Sequence, residues 1–148
     1  MNHNIQLHHL GRRDGLPDVV LHELDESVRV SSTNTGMHLC LALNYGSRAE
    51  IVDGVRALAR KAAEGTLDPD QIDEDAIGAA LYAPTVPDPD LLVRTSGELR
   101  LSNFLLWQVS YAKFFVTDVY WPDFSEEHFR KALRTSAERA RRFGGVDN

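Results

Sequence analysis

Cysteine is nearly absent from this chain. Cys40 stands alone in 148 residues, which excludes an internal disulfide and fits a reducing compartment. No apolar run approaches the roughly 20 residues that a membrane-spanning helix needs, and the opening MNHNIQLHHLGRR has no apolar core of a signal peptide. An excess of positive charge is missing too. Sixteen Lys and Arg against 22 Asp and Glu leave a formal charge of −6, which argues against a general nucleic-acid binder, whose footprint is net basic. The chain shows no internal repeat and no low-complexity segment. These absences predict a cytoplasmic protein with no nucleic-acid partner. They leave room for a local basic pocket and for product release at a membrane surface.

What is present has the make-up of one globular domain. Hydrophobic residues at 43% and charged residues at 26% are ordinary for a chain large enough to bury a core. NIQLHHLG sets Ile5 and Leu7 against polar neighbours, a short strand. LPDVVLHELDESVRV spaces Val20, Leu24 and Val28 along one helical face, with Pro17 where a helix can start. In MHLCLALNYG, Met37, Leu39, Leu41 and Leu43 share one side, while Cys40 and Ala42 make the other side apolar. That pattern predicts a strand buried on both faces of a parallel sheet. SRAE reads as a capping box with Ser47 as N-cap and Glu50 three positions on, followed by the stripe Ile51, Val55, Leu58 and Ala62. LLV runs into Arg94 as a third strand, LSNFLLWQVSYA predicts a helix, and KFFVTDVYW a fourth strand. A last helix opens at Ser125 and closes with RARRFGG, basic residues and glycine that suit its C-terminal end. The alternation predicts the α/β class: a mostly parallel sheet of about four strands with flanking helices, in a single domain spanning 1–148.

In open α/β sheets, ligands bind at the carboxyl ends of the strands. Two loops sit there, NYGSR after the second strand and RTSGELRLS after the third, each leading into a predicted helix whose first N–H groups can bind anions. Arg94 and Arg100 supply planar forks that grip phosphate oxygens in pairs, and Ser102 adds a hydroxyl. Each charge-assisted bond contributes about 1.5–3 kcal/mol, so three or four suffice to hold a small polyanion. The same residues have ordinary uses. Arg94 can pair with Glu98, Arg100 can stay a solvated surface charge, and Ser102 can cap a helix. Composition and spacing leave both readings open.

The order of residues from Arg94 to Gln108, RTSGELRLSNFLLWQ, resembles the C-terminal signature of the cis-prenyltransferases, the family of undecaprenyl diphosphate synthase, whose pattern is Arg-Thr-(Gly/Ser)-Gly-Glu-x-Arg-x-Ser-Asn-Phe-Leu-Leu-Trp-Gln. The likeness continues through Trp121, Pro122, Asp123 and Phe124 to the terminal RRFGG, and backward through NYGSRAEIVDGVRALA to the opening strand. It implies a polyprenyl diphosphate synthase: a transferase of isoprenoid biosynthesis that condenses isopentenyl diphosphate with an allylic diphosphate in cis, using Mg2+, as a homodimer. It further implies that Arg94, Arg100 and Ser102 bind the diphosphate of isopentenyl diphosphate. Arg142 and Gly144 match the family's Arg-x-Gly motif, which contacts the active site across the dimer; an ordinary basic helix end is the alternative. Met37 aligns with a position near the far end of the apolar tunnel that holds the growing chain, with core packing as the other reading.

Two departures qualify the resemblance. The family's His-x-x-Met-Asp-Gly-Asn-Gly-Arg-Trp segment, which binds the allylic diphosphate and magnesium, has no counterpart; Asp14-Gly15 and Asp53-Gly54 are the only Asp-Gly pairs, and neither continues as that motif requires. The expectation is a C-terminal portion of the domain, an incomplete version of the fold with no catalytic aspartate, inactive alone. Its exposed sheet edge predicts marginal stability or association with another cis-prenyltransferase chain. The second departure is Lys113, at the position of a family glutamate that helps hold magnesium. An ammonium has no lone pair for a hard cation, so no complete metal site is expected. Lys113 could instead contact a phosphate as a point charge, or sit at the surface. The alternative to a truncated enzyme is a non-catalytic partner subunit of a heteromeric cis-prenyltransferase. Among the six histidines, His8 and His9 point to opposite faces of a strand, and His3, His22, His38 and His128 are scattered, so no histidine metal site is predicted.

Overall fold

Backbone hydrogen-bond demand and the apolar pattern resolve into four strands and four helices among the described residues, 3–138 of a computed structural model. In chain order they are β1 (Gln6–Leu10), α1 (Asp18–Ser31), β2 (His38–Ala42), α2 (Ser47–Ala63), α3 (Glu74–Ala79), β3 (Leu91–Arg94), β4 (Lys113–Val116) and α4 (Glu126–Glu138), with short 3-10 turns at Pro69–Gln71 and Trp121–Asp123. The α/β class holds, and every ladder is parallel. The four strands form two pairs, β1 with β2 and β3 with β4. The chain correspondingly divides into two compact units that part between Pro87 and Asp88.

The first unit begins as a βαβ element. Gln6 faces His38 and Leu10 faces Ala42, and α1 makes the crossover that a parallel pair requires. Leu24 is the buried anchor of α1. Ser31, also buried, ties the helix end to the strand: its hydroxyl oxygen accepts from the Leu7 N–H at 3.0 Å and its O–H donates to the Ser27 carbonyl at 2.8 Å. β2 departs from expectation. It pairs in parallel with β1, yet Leu39 and Leu41 are 42% and 37% exposed and Met37 is 61% exposed. Within this unit α1 contacts β1, leaving much of the apolar surface of β2 open. The pattern read as burial on both faces is there in the residues, but the layers that would cover it are not supplied by the described elements of this unit.

The α2 helix also differs from its sequence reading. Gly46, in an extended conformation, is the N-cap and makes no side-chain capping bond; Ser47 is the first helical residue. The buried stripe is Ser47, Glu50, Gly54 and Leu58, while Val55 is 51% exposed. Helical spacing is obeyed, but the face is rotated, because Glu50 is needed inside. Its carboxylate is fully buried and accepts from the Tyr45 hydroxyl at 2.5 Å and from the Tyr82 backbone N–H at 3.0 Å. A buried carboxylate is tolerable only when such donors replace water. Gly54 completes the contact: a Cβ there would lie 3.2 Å from the Ala80 carbonyl oxygen, so the missing side chain lets α3 pack close against α2.

The second unit is built on β3 and β4, Leu91 facing Lys113 and Arg94 facing Val116. Its buried anchors include Leu92, Val109 and Ala132, the last on α4. Residues 101–112 form successive turns rather than the predicted helix. Ser102, Asn103 and Leu105 have φ of 51°, 62° and 48°, and left-handed backbone at three of four consecutive positions cannot propagate a right-handed helix. The crossover between two parallel strands is thus made here without a regular helix. α4 starts where Phe129 N–H donates to the Ser125 carbonyl at 3.1 Å, with Glu126 and Glu127 in its first turn as expected.

Replacing Glu50 by Ala strands the part-buried Tyr82 N–H and Tyr45 hydroxyl. E50A should lower the unfolding free energy by about 2–3 kcal/mol, read from urea melts, with E50Q losing less because its amide oxygen still accepts.

Candidate functional site

A parallel pair puts the ends of both strands at the same edge, and in each unit the loops leaving that edge are locked together. In the first unit, the Arg12 N–H donates to the Asn44 carbonyl, and the Asn44 side-chain amide donates to the carbonyls of Arg12 and Asp14. Gly11, at φ 128°, lies so near the Leu43 carbonyl that a Cβ would fall 2.2 Å from its oxygen. Arg12 then reaches α2, where both its Nε and an Nη donate to Asp53 at 2.9 Å, and the Tyr82 hydroxyl donates to the same carboxylate at 2.7 Å. These bonds, Arg12 first, hold the Asp53 carboxyl well below its ordinary value of 3.8, at about 2, and keep the Arg12 guanidinium charged. Burial and the neighbouring carboxylate push the Tyr82 phenol up. The network is a brace. Its arginine, Arg12, is already committed to a protein carboxylate.

The second unit differs in this respect. Arg94 ends β3, half-buried, with its carbonyl accepting from the Thr117 N–H at 2.9 Å. The guanidinium Nε of Arg94 is shut off from solvent and has no hydrogen-bond partner among the described residues. The sequence allowed Arg94 to pair with Glu98; instead Glu98 accepts from Arg100, Nε to Oε2 at 2.9 Å, in an exposed pair. Exposed pairs of this kind contribute at most about 1 kcal/mol, so Arg100 is easily diverted to a stronger acceptor. Ser102 is exposed on the same loop, and since no helix follows it, the N-cap role falls away.

The loop is held in an unusual shape. Ser96 and Gly97 follow Arg94 with φ of 63° and 66°, and their N–H groups donate to the Val119 and Thr117 carbonyls, both at 2.9 Å. The loop after β3 is thereby laced to the loop after β4. Gly97 matters at this point, because a Cβ would sit 3.0 Å from the Asp118 carboxylate. With Ser102, Asn103 and Leu105, four non-glycine residues in ten occupy the left-handed region. Such conformations persist only where the surroundings impose them, and they concentrate at binding sites.

Lys113, the first residue of β4, is half-buried and donates its ammonium to the Ser136 carbonyl at 2.5 Å, in the last described turn of α4. This is a donor engaged with a backbone acceptor, and it offers nothing to a hard cation. Among the described residues no three His, Cys, Asp or Glu side chains converge as metal ligands. The residues at this locus do not fit magnesium. Arg142 and Gly144 lie outside the described residues. Met37 sits at the start of β2, its carbonyl accepting from the Gln6 N–H, with its side chain exposed.

Known proteins match this arrangement over nearly its whole length. The family model for undecaprenyl diphosphate synthase covers residues 1–144. An isoprenyl transferase of Shouchella clausii is 50% identical over 97% of the chain and 56% of its own length, and one from Bacillus subtilis is 48% identical over 97% and 55%. The crystal structure of lavandulyl diphosphate synthase from Lavandula x intermedia, in complex with dimethylallyl diphosphate, superposes with a TM-score of 0.92 at 38% identity, covering 95% of the chain and 61% of that structure. The chain spans little more than half the length of the curated relatives it matches.

The Asp53 brace has a pH signature. A carboxyl depressed in the folded state contributes stability that is complete above its ordinary value and is lost as it protonates in the fold. Unfolding midpoints of the wild type should therefore fall as pH drops from 3.8 towards about 2, and D53N should weaken this dependence. Parallel curves for the two proteins across that window would mean the brace carries no linkage.

Proposed function

The chain belongs to the undecaprenyl diphosphate synthase family of prenyltransferases, and on that premise we propose that it carries the isopentenyl-diphosphate-binding half of such an enzyme. The observation that carries this reading is the Arg94 Nε, a buried guanidinium donor with no acceptor among the described residues. Leaving a charged donor unmet in the interior is costly, and a diphosphate oxygen is the acceptor that suits it. Arg100 turns from Glu98 to the same ligand, and the Ser102 hydroxyl adds a neutral bond. The role of the three is anchorage: gripping the diphosphate holds the alkene of isopentenyl diphosphate at the distance where it attacks an allylic carbon, a gain from positioning rather than from acid–base work.

The allylic diphosphate and any magnesium are held by residues other than these, and the chain by itself does not turn over. The apolar strip of Met37, Leu39 and Leu41, with the groove of about 340 Å³ that Leu7, Val20, Leu24 and Leu43 line beside it, suits an isoprenoid chain. Association with a second copy or with another cis-prenyltransferase chain brings Arg142 and Gly144 to a neighbouring site. The work is cytoplasmic, with the lipid product released at a membrane surface.

A non-catalytic partner subunit is the second reading, and the Lys113 ammonium on the Ser136 carbonyl favours it, since that position then serves α4 instead of a metal. Prenyl transfer separates the two. Farnesyl diphosphate, Mg2+ and labelled isopentenyl diphosphate are supplied to the chain alone and to the chain mixed with a separately expressed N-terminal segment of a complete relative. Product only in the mixture, reduced at least about tenfold in R100A, is the expected result. Equal product from R100A would remove the arginine loop from the reaction, and product from the chain alone would contradict the division of the site.

A further inference from the structure

We infer that His8 and His38 form a two-histidine chelate for a divalent transition ion of the zinc, copper and nickel class, a site separate from the arginine loop. The two residues are 30 apart in sequence, and the β1–β2 register brings them together. His8 faces Cys40, so His38, two residues before Cys40, lies diagonally across on the same sheet face. The result is an approach of His8 Nε2 to His38 Nδ1 of 2.7 Å. The ring centres are 5.0 Å apart and the planes are tilted by only 24°. The gap between those two distances is about one ring diameter, so the nitrogens lie between the centres and the rings meet edge to edge. A lone pair on one ring is thus aimed at a nitrogen of the other.

That geometry is one proton away from a metal site. In the absence of metal the two nitrogens share one N–H. With a metal, each presents its lone pair, and the remaining protons sit on His8 Nδ1 and His38 Nε2, so a neutral pair binds the ion with no net release of a proton. Zinc–nitrogen bonds of about 2.0–2.1 Å at a tetrahedral angle put the nitrogens roughly 3.3 Å apart. The rings, which now meet head-on, must also turn by roughly 35° each so that both lone pairs converge on one ion, a side-chain rearrangement that leaves the strand pairing in place. Imidazole suits zinc, copper and nickel, whereas magnesium and calcium prefer oxygen. No third His, Cys, Asp or Glu converges on the pair among the described residues, so water fills the remaining positions. His38 is exposed and His8 half-buried, which leaves the metal side open. Such a site is labile. Its physical effect is to clip β1 to β2, stabilising the fold in proportion to occupancy.

The test uses the untagged full chain, with ZnCl2 as the probe, and reads both thermal unfolding and equilibrium dialysis. One zinc per chain and a saturable rise in unfolding midpoint are expected for the wild type. Both should be lost in H8Q and in H38Q and kept in H9Q, whose residue points to the other face. His38 is exposed, so H38Q keeps the test valid even if H8Q folds poorly; far-UV circular dichroism verifies each fold. A wild type that takes up no zinc, or an H38Q protein that binds it as the wild type does, would overturn the inference.

Discussion

A parallel strand pair delivers two chain ends to one edge, and most of what this molecule can do follows from that constraint. The backbone there leaves the ladder and must satisfy its N–H and C=O groups by other means. Both units solve the problem by lacing one loop to its neighbour: Arg12 to Asn44 in the first, Ser96 and Gly97 to Val119 and Thr117 in the second. Lacing of this kind brings left-handed residues and close backbone contacts, and so favours glycine at Gly11, where a Cβ would collide with the Leu43 carbonyl, and at Gly97, whose φ is 66°.

The two edges spend their arginines differently. Arg12 is neutralised by Asp53, with Tyr82 as a second donor to that carboxylate. It is therefore a structural cation, and its network braces β1, α2 and the segment after α3. Arg94 has its backbone anchored by Thr117 while its Nε has no acceptor among the described residues. The contrast is electrostatic: a guanidinium with a bidentate carboxylate has little left for a ligand, whereas one whose buried Nε has no acceptor among the described residues gains from an anion.

Much of the fold was legible because parallel pairing and helix spacing write strong local patterns. Four strands form where alternation and apolar runs place them, though β4 stops at Val116 instead of running to Trp121; Arg94 ends β3, and Arg100 and Ser102 lie on the loop that leaves it. What misled had physical causes. The apolar run after Arg100 has helical spacing, but Ser102, Asn103 and Leu105 adopt left-handed backbone, which periodicity does not encode. Glu50 carries the signature of a capping box, yet its carboxylate is claimed by Tyr45 and by Tyr82, 32 residues away. β2 reads as buried on both faces, and its open surface reflects which layers the first unit contains, not its own residues. The meeting of His8 with His38 needed the register, which sets partners that no spacing rule reveals.

The central claim is that the Arg94 loop holds a diphosphate. Isothermal titration of isopentenyl diphosphate into the chain, wild type beside R94M, with folding of both verified by circular dichroism, tests it most directly. One equivalent bound by the wild type, with affinity lowered roughly 10- to 150-fold in R94M, is the predicted result. Equal affinities in the two proteins, or no binding by the folded wild type, would contradict it.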